Sequence, residues 1–239
     1  MSLPEIQLAT DGDLNYALFK HPDIVTNAVR SGGYEQELQD VSARLLDGHN
    51  NGVVLDIGAN LGSYTVPLAK AHPHLQVIAF EPQRIINLQL CANIFLNRLD
   101  NVMPFRYALS DAEWQEELVM PDYATEHNIG AFSVDPAVRA KEYEVQTKGI
   151  MEIIHGVPLD KFEFYNVRLI KIDVEGHELE VLRGAHYTLE ENDFPPIIFE
   201  SWTWKFQDKR NALFAYLKDL GYTITEMGQN NVAVHNKIR

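Results

Sequence analysis

Short apolar runs alternate with stretches of helical spacing from about residue 53 to the end of the chain. The apolar runs predict strands at 53–57, 76–80, 102–107, 167–172, 197–199, 222–226 and 231–235. Between them, apolar residues recur at helical intervals. The spacing predicts helices over about 62–71, 82–98, 177–190 and 207–220, the last closed by Gly221. In the second of these, Ile85, Ile86, Leu88, Ala92, Phe95 and Leu96 form the predicted apolar face. A further helix is predicted over 34–46, where Leu38, Val41, Leu45 and Leu46 share a face. Strands alternating with helices imply an α/β fold, a mainly parallel sheet covered on both sides.

Two regions break this rhythm. Residues 1–33 have mixed polarity and little periodicity, and read as an N-terminal extension that packs on the domain or partly covers its site. From about 112 to 160, short alternating pieces flank polar loops, which predicts an inserted antiparallel hairpin or lid-like excursion. The rest, 34–239, reads as a single domain, consistent with 239 residues.

Composition narrows the partners. A formal net charge of -14, with no long Lys/Arg run, argues against nucleic acid and anionic membrane surfaces. The one cysteine, Cys91, excludes an intramolecular disulfide and suits a reducing compartment. No secretory leader or long apolar run is evident, so a cytoplasmic location is expected. Oligomeric state has no signature here.

The chemistry concentrates where strands end. The first strand carries Asp56 near its tip and runs into Gly58, Asn60 and Gly62 before a helix. A strand, a glycine turn and a helix N-terminus let backbone amides approach a ligand closely. The next strand ends in Glu81. In open α/β sheets, ligands bind outside the carboxyl ends of the strands, at the switch point beside the first. A dinucleotide brings a doubly charged pyrophosphate and asks for a G-x-G-x-x-G cradle. This chain offers D-x-G-x-N-x-G, with an acid where an anion would be repelled. S-adenosylmethionine carries an ammonium and a sulfonium and no phosphate, so it suits an acidic turn. Glu81 is then placed to accept hydrogen bonds from the ribose hydroxyls. The loop after the third strand, with Ser110 and Asp111, is the candidate adenine contact, though an ordinary turn explains it equally well.

These segments resemble those of the FkbM family of class I S-adenosylmethionine-dependent methyltransferases. The resemblance rests on the motif from Leu55 to Gly62, on Ile78 to Pro82, Leu96-Asn97, Asn101-Val102 and Ala108 to Asp111. It continues through Val157 to Asp160, Leu169 to Glu178 and Val181 to Ala185. It implies a Rossmann-like, seven-stranded, mostly parallel sheet with a reversed last strand. S-adenosylmethionine is implied as methyl donor, and a hydroxyl of a sugar, polyketide or related small molecule as acceptor.

The segment after the fourth long strand is the candidate for chemistry. Asp173 closes the strand, and Glu175 and His177 follow on a loop entering a helix. A positioned base that removes a hydroxyl proton adds about 10²–10⁴-fold to a rate. His177 is the first candidate base, Glu175 the second, and Asp173 is expected to order the donor's amino group or the acceptor. Acids at a helix N-terminus and a packed histidine are the competing structural explanations. A divalent ion on Asp173, Glu175 and His177 is a further alternative, although magnesium prefers oxygen ligands. Glu200 and Trp202 end the fifth long strand and suit a sugar-binding wall; a tryptophan packed under the sheet is the alternative. Tyr34 and Glu35 are placed to close over the donor, or Glu35 to cap its helix. His127, Asn128 and His155 are weaker candidates for the acceptor pocket. Outside this reading stand an NAD-type oxidoreductase, a non-catalytic protein that binds the donor, and a methyltransferase acting on peptides or proteins.

Overall fold

The computed structural model describes residues 4–21, 23–32, 35–124, 128–142, 150–201 and 206–237. Tyr34, His127 and Trp202 lie outside the described residues.

The chain begins with a hairpin, β1 (Ile6–Asp11) and β2 (Leu14–Phe19), and two helices, α1 (Ile24–Ser31) and α2 (Gln36–Leu45). Then come β3 (Val53–Ile57), α3 (Thr65–Ala71), β4 (Gln76–Phe80), α4 (Arg84–Leu96), β5 (Val102–Phe105) and β6 (Ala108–Leu109). They are followed by β7 (Trp114–Val119), α5 (Pro136–Glu142), β8 (Met151–Val157), β9 (Val167–Ile172), α6 (Glu178–Arg183) and α7 (His186–Glu191). The chain closes with β10 (Ile197–Glu200), α8 (Gln207–Asp219), β11 (Tyr222–Met227) and β12 (Asn230–His235).

Seven strands form the main sheet in the order β11-β12-β10-β9-β3-β4-β5. β10, β9, β3, β4 and β5 run parallel, and β12 is antiparallel to both β10 and β11. The predicted Rossmann-like α/β sheet is therefore present, with one reversed strand inserted next to its edge. Alternation along the strands builds two cores. Val54, Val77, Leu169 and Ile198 pack toward the side holding Leu38, Tyr64, Leu68 and Leu90. Leu55, Ile78, Phe80, Ile170 and Phe199 pack toward the side holding Val181, Leu189, Leu213 and Leu217. Burial on both faces is why these strands read as continuous apolar runs.

Residues between β5 and β9 carry a separate three-stranded sheet, β6-β8-β7, in which β7 and β8 are antiparallel from Trp114↔Gly156 to Val119↔Met151. The first residues, read as lacking periodicity, form a hairpin whose two-residue loop puts Gly12 at φ +57°.

That hairpin alters α4. Leu88 and Phe95, predicted for its apolar face, are exposed, while Gln89 and Asn93 are buried. The Ala17 amide donates to Asn93 Oδ1 at 2.6 Å, and Gln89 Nε2 donates to the Ala17 carbonyl at 2.8 Å. Polar α4 side chains thus bind the β2 backbone, and the helix is rotated from its apolar reading. The helix predicted over 177–190 is two short helices. They part at Gly184, where a Cβ would meet the Ser110 carbonyl at 1.9 Å.

Candidate active site

The carboxyl ends of β3, β4, β9 and β10 open into a cavity of about 680 Å³. Its wall includes Gly58, Asn60, Glu81, Asp173, Glu175, Glu200 and Glu35 from the candidates named above. Asp56, Gly62, Ser110, Asp111 and His177 are not on that wall.

The glycine turn is tied to β4. The amides of Gly58 and Ala59 both donate to the Phe80 carbonyl at 2.9 Å. Gly58 stands at φ +84°, and a Cβ there would meet the Asp173 carbonyl at 1.8 Å, so only glycine lets the two loops cross. Asn60 is left-handed at φ +50°, and its amide donates to Glu81 Oε2 at 3.1 Å. Glu81 Oε1 accepts from the Gln83 amide at 2.9 Å. Burial raises the Glu81 carboxyl to about 7, partly opposed by those two amide hydrogen bonds. A carboxylate has about four acceptor positions. Two are used here, which leaves capacity for a pair of ribose hydroxyls.

Several candidates stand elsewhere. Asp56 is fully buried; it accepts a hydrogen bond from Thr65 Oγ1 and lies 3.4 Å from Lys171 Nζ. An acid on this strand tip is thus neutralised inside the protein rather than presented to a ligand. Gly62, at φ +93°, allows close packing, since a Cβ there would meet Leu90 Cδ1 at 2.9 Å. Asp111 is exposed, as is His155, while Ser110 is buried. In that loop it is Ala108 and Leu109 that line the cavity, along with Asn128 from further on.

His177 is held in the interior. Its Nε2 lies 3.0 Å from Ser110 Oγ, and its Nδ1 is 3.6 Å from Asp135 Oδ2 and 3.7 Å from Glu180 Oε2. Asp135 in turn accepts from the amides of Ala137 and Val138 at the start of α5, and from Lys209 at 2.6 Å. His177 therefore stands between three segments behind the wall and is not among the residues lining the cavity. The metal grouping considered from sequence also divides. Asp173 and Glu175 bring carboxylate oxygens within 4.8 Å of Glu200, whereas His177 groups with Asp135 and Glu180.

Asp173, Glu175 and Glu200 are the carboxylates that the fold does bring together. Asp173 follows β9, its amide donating to the Ile57 carbonyl at 2.9 Å. Glu175 takes the left-handed φ of 55°, a costly conformation for a side chain with a Cβ, and Gly176 follows at φ +91°. Glu178 holds this bend: its Oε1 accepts from the Gly176 and Val174 amides at 3.0 and 3.3 Å, and burial raises its carboxyl to about 7. Burial, reinforced by the charges of Asp173 and Glu175, pushes the Glu200 carboxyl up to about 10.

Glu35 makes no capping hydrogen bond at the start of α2 and faces the cavity. Burial raises its carboxyl to about 7, opposed by Lys171. The sequence reading passed over Lys171. A lysine inside a strand covered on both faces is itself a signal, because such a charge stays buried only when paired.

A model of the FkbM methyltransferase domain matches residues 56–224. The chain belongs to the FkbM methyltransferase family. It is a methyltransferase whose donor is S-adenosylmethionine, and Glu81 beside the Gly58–Asn60 turn fits that donor's nucleoside. The methyltransferase sdnD of Sordaria araneosa is 28% identical over 203 residues, covering 74% of this chain and 75% of that protein. The hexuronic acid methyltransferase AglP of Haloferax volcanii is 32% identical over 163 residues, covering 65% of this chain and 59% of that one. A crystal structure of an FkbM methyltransferase from Methylobacillus flagellatus shares the fold, with a TM-score of 0.50, 18% identity and coverage of 77% of this chain. The chain spans 43% of that protein. Among the described residues, no helix is long and apolar enough to cross a membrane.

Proposed function

We propose that this family member methylates a hydroxyl oxygen of a small polar molecule, a sugar or related metabolite. When bound, the donor supplies an electrophilic methyl on a sulfonium. The residues of the chain hold the two reactants and manage one proton. Gly58, Asn60 and Glu81 hold the nucleoside. Asp173, Glu175 and Glu200 receive the acceptor on the other side of β3.

The observation that carries this reading is the meeting of those three carboxylates within 4.8 Å on the wall of the same cavity as Glu81. They suit an acceptor rich in hydroxyls. Glu200, with its carboxyl raised to about 10, keeps its proton at neutral pH and donates a hydrogen bond. Glu175, on its left-handed bend, is the group assigned to take the acceptor's proton as the methyl is transferred. Alignment of the two reactants supplies the larger part of the acceleration, up to about 7–11 kcal/mol in favourable cases. A sugar-type acceptor is consistent with the likeness to a hexuronic acid methyltransferase.

The test is incubation with isotope-labelled donor and a panel of sugars and polyols, with the methylated atom located by mass spectrometry and NMR. The reading expects an O-methyl product and a slow Glu175→Gln variant. Methyl found on nitrogen or carbon would contradict it.

A further inference from the structure

Lys171 is a buried cation without a role in the reading above. It is the one Lys or Arg among the described residues lining the cavity, against six carboxylates there. Its contacts are unusual. Nζ lies 3.4 Å from Asp56 Oδ1, 3.4 Å from Asp173 Oδ2 and 3.3 Å from the Gly58 carbonyl. Charge-assisted N–H···O bonds close to about 2.7–2.9 Å. Lys209 reaches 2.6 Å from Asp135 and Lys20 reaches 2.7 Å from Glu5. The Lys171 ammonium thus donates one long hydrogen bond, to the Gly58 carbonyl, and stands 3.4 Å from each of two carboxylates without a short bond to either.

We propose that Lys171 is the carboxylate-reading group of this cavity and pairs with the α-carboxylate of the donor. The inference rests on the donor assigned above. The amino-acid end of that donor bears two cationic centres and one carboxylate. The acidic wall complements the cations, but a carboxylate entering it is repelled unless a cation lies beside it. Lys171 meets that need next to the glycine turn, through Gly58. It faces Asp56 across the β3–β9 pairing, and its ammonium stands 5.6 Å from the centre of the Tyr64 ring. Asp56, fully buried, is then a positioning residue: it fixes the ammonium toward the turn without touching the ligand. A carboxylate on the acceptor, as in a sugar acid, is the other source of the same chemistry. The contact with the glycine turn assigns Lys171 to the donor.

Calorimetry on the wild-type protein tests this without a variant. The ligands are S-adenosylmethionine and its decarboxylated analogue. The proposal expects the analogue to bind roughly ten- to hundredfold more weakly, the range for a hydrogen bond to a charged group. In Lys171→Met the two ligands should bind within about threefold of each other, while Lys171→Arg keeps part of the preference. Equal wild-type affinities would overturn the proposal while leaving the donor assignment standing. A second arm compares glucuronate with glucose in the presence of S-adenosylhomocysteine. A carboxylate preference there that Lys171→Met abolishes, with none for the donor's carboxylate, would overturn the assignment to the donor. Binding of neither nucleoside would overturn the donor assignment, and this inference with it.

Discussion

His177 Nε2 lies 3.0 Å from Ser110 Oγ, and the pair is buried behind the cavity wall rather than on it. With Nδ1 turned toward Asp135 and Glu180, the imidazole joins the loop after β6, the start of α5 and the start of α6. His177→Ala should therefore act on stability. Leaving buried polar partners unsatisfied costs about 1–3 kcal/mol. Thermal unfolding should show a clear drop in Tm, with kcat per folded molecule within about fivefold of wild type. A loss of 10²-fold or more in kcat at unchanged Tm would return the histidine to the chemistry.

Glu175→Gln should do the reverse. It removes the proposed proton acceptor while keeping a side chain of the same shape on the bend. Turnover should fall by about 10²–10⁴-fold, the usual range for a general base. Donor affinity, measured by calorimetry, should stay within about threefold. A rate near wild type would move proton acceptance to Asp173.

The crossing of Gly58 with the Asp173 carbonyl leaves no room for a methyl group. Gly58→Ala adds a steric clash to an unfavourable positive φ, together worth roughly 2–5 kcal/mol. Chemical denaturation should show that loss, and donor binding should fall with it. A variant of wild-type stability would mean that the turn and the loop after β9 are not packed as described.

Glu35, Glu81 and Glu178 are each raised to about 7, and Glu200 to about 10, mainly by burial. A carboxyl whose pKa is higher folded than unfolded binds more protons in the native state. Its stabilising contribution is complete below the unfolded value and is lost as pH rises through the folded one. The unliganded protein should therefore lose stability from about pH 4.5 to 7 through Glu35, Glu81 and Glu178, and on toward about pH 10 through Glu200. Asp135, held below the usual carboxylate range by His177 and Lys209 against the cost of burial, has the opposite sign and acts only at lower pH. Donor binding should run against the first trend if Glu81 holds the ribose, because a carboxyl accepts two hydroxyl hydrogen bonds best when ionised. Affinity should fall as pH drops below 7. Parallel pH series of Tm and donor Kd check both signs; a flat Kd across pH 6–8 would remove Glu81 ionisation from the account.

The parts of this molecule legible from sequence are those set by local pattern. Apolar runs located the strands of the main sheet, and the acid after β4 located Glu81. What escaped depends on contacts far apart in the chain. Asp135 lies 42 residues before His177 in a stretch without periodicity, so nothing local announced that it turns the imidazole inward. Gln89 and Asn93 are buried because a distant hairpin supplies backbone partners, which rotated the expected face of α4: Ile85 and Ile86 stay buried while Leu88 and Phe95 are exposed. Two signals were present and passed over. Asp11-Gly12 marks the hairpin loop, and Lys171 is a charge inside an otherwise apolar strand.

The central claim is that Glu81 and the glycine turn hold the methyl donor. Isothermal titration of S-adenosylmethionine into wild type and Glu81→Ala, with melting curves of both, tests it most directly. The account predicts saturable binding by the wild type, and at least tenfold weaker binding by a variant that still folds. Equal affinities in two folded proteins would contradict it.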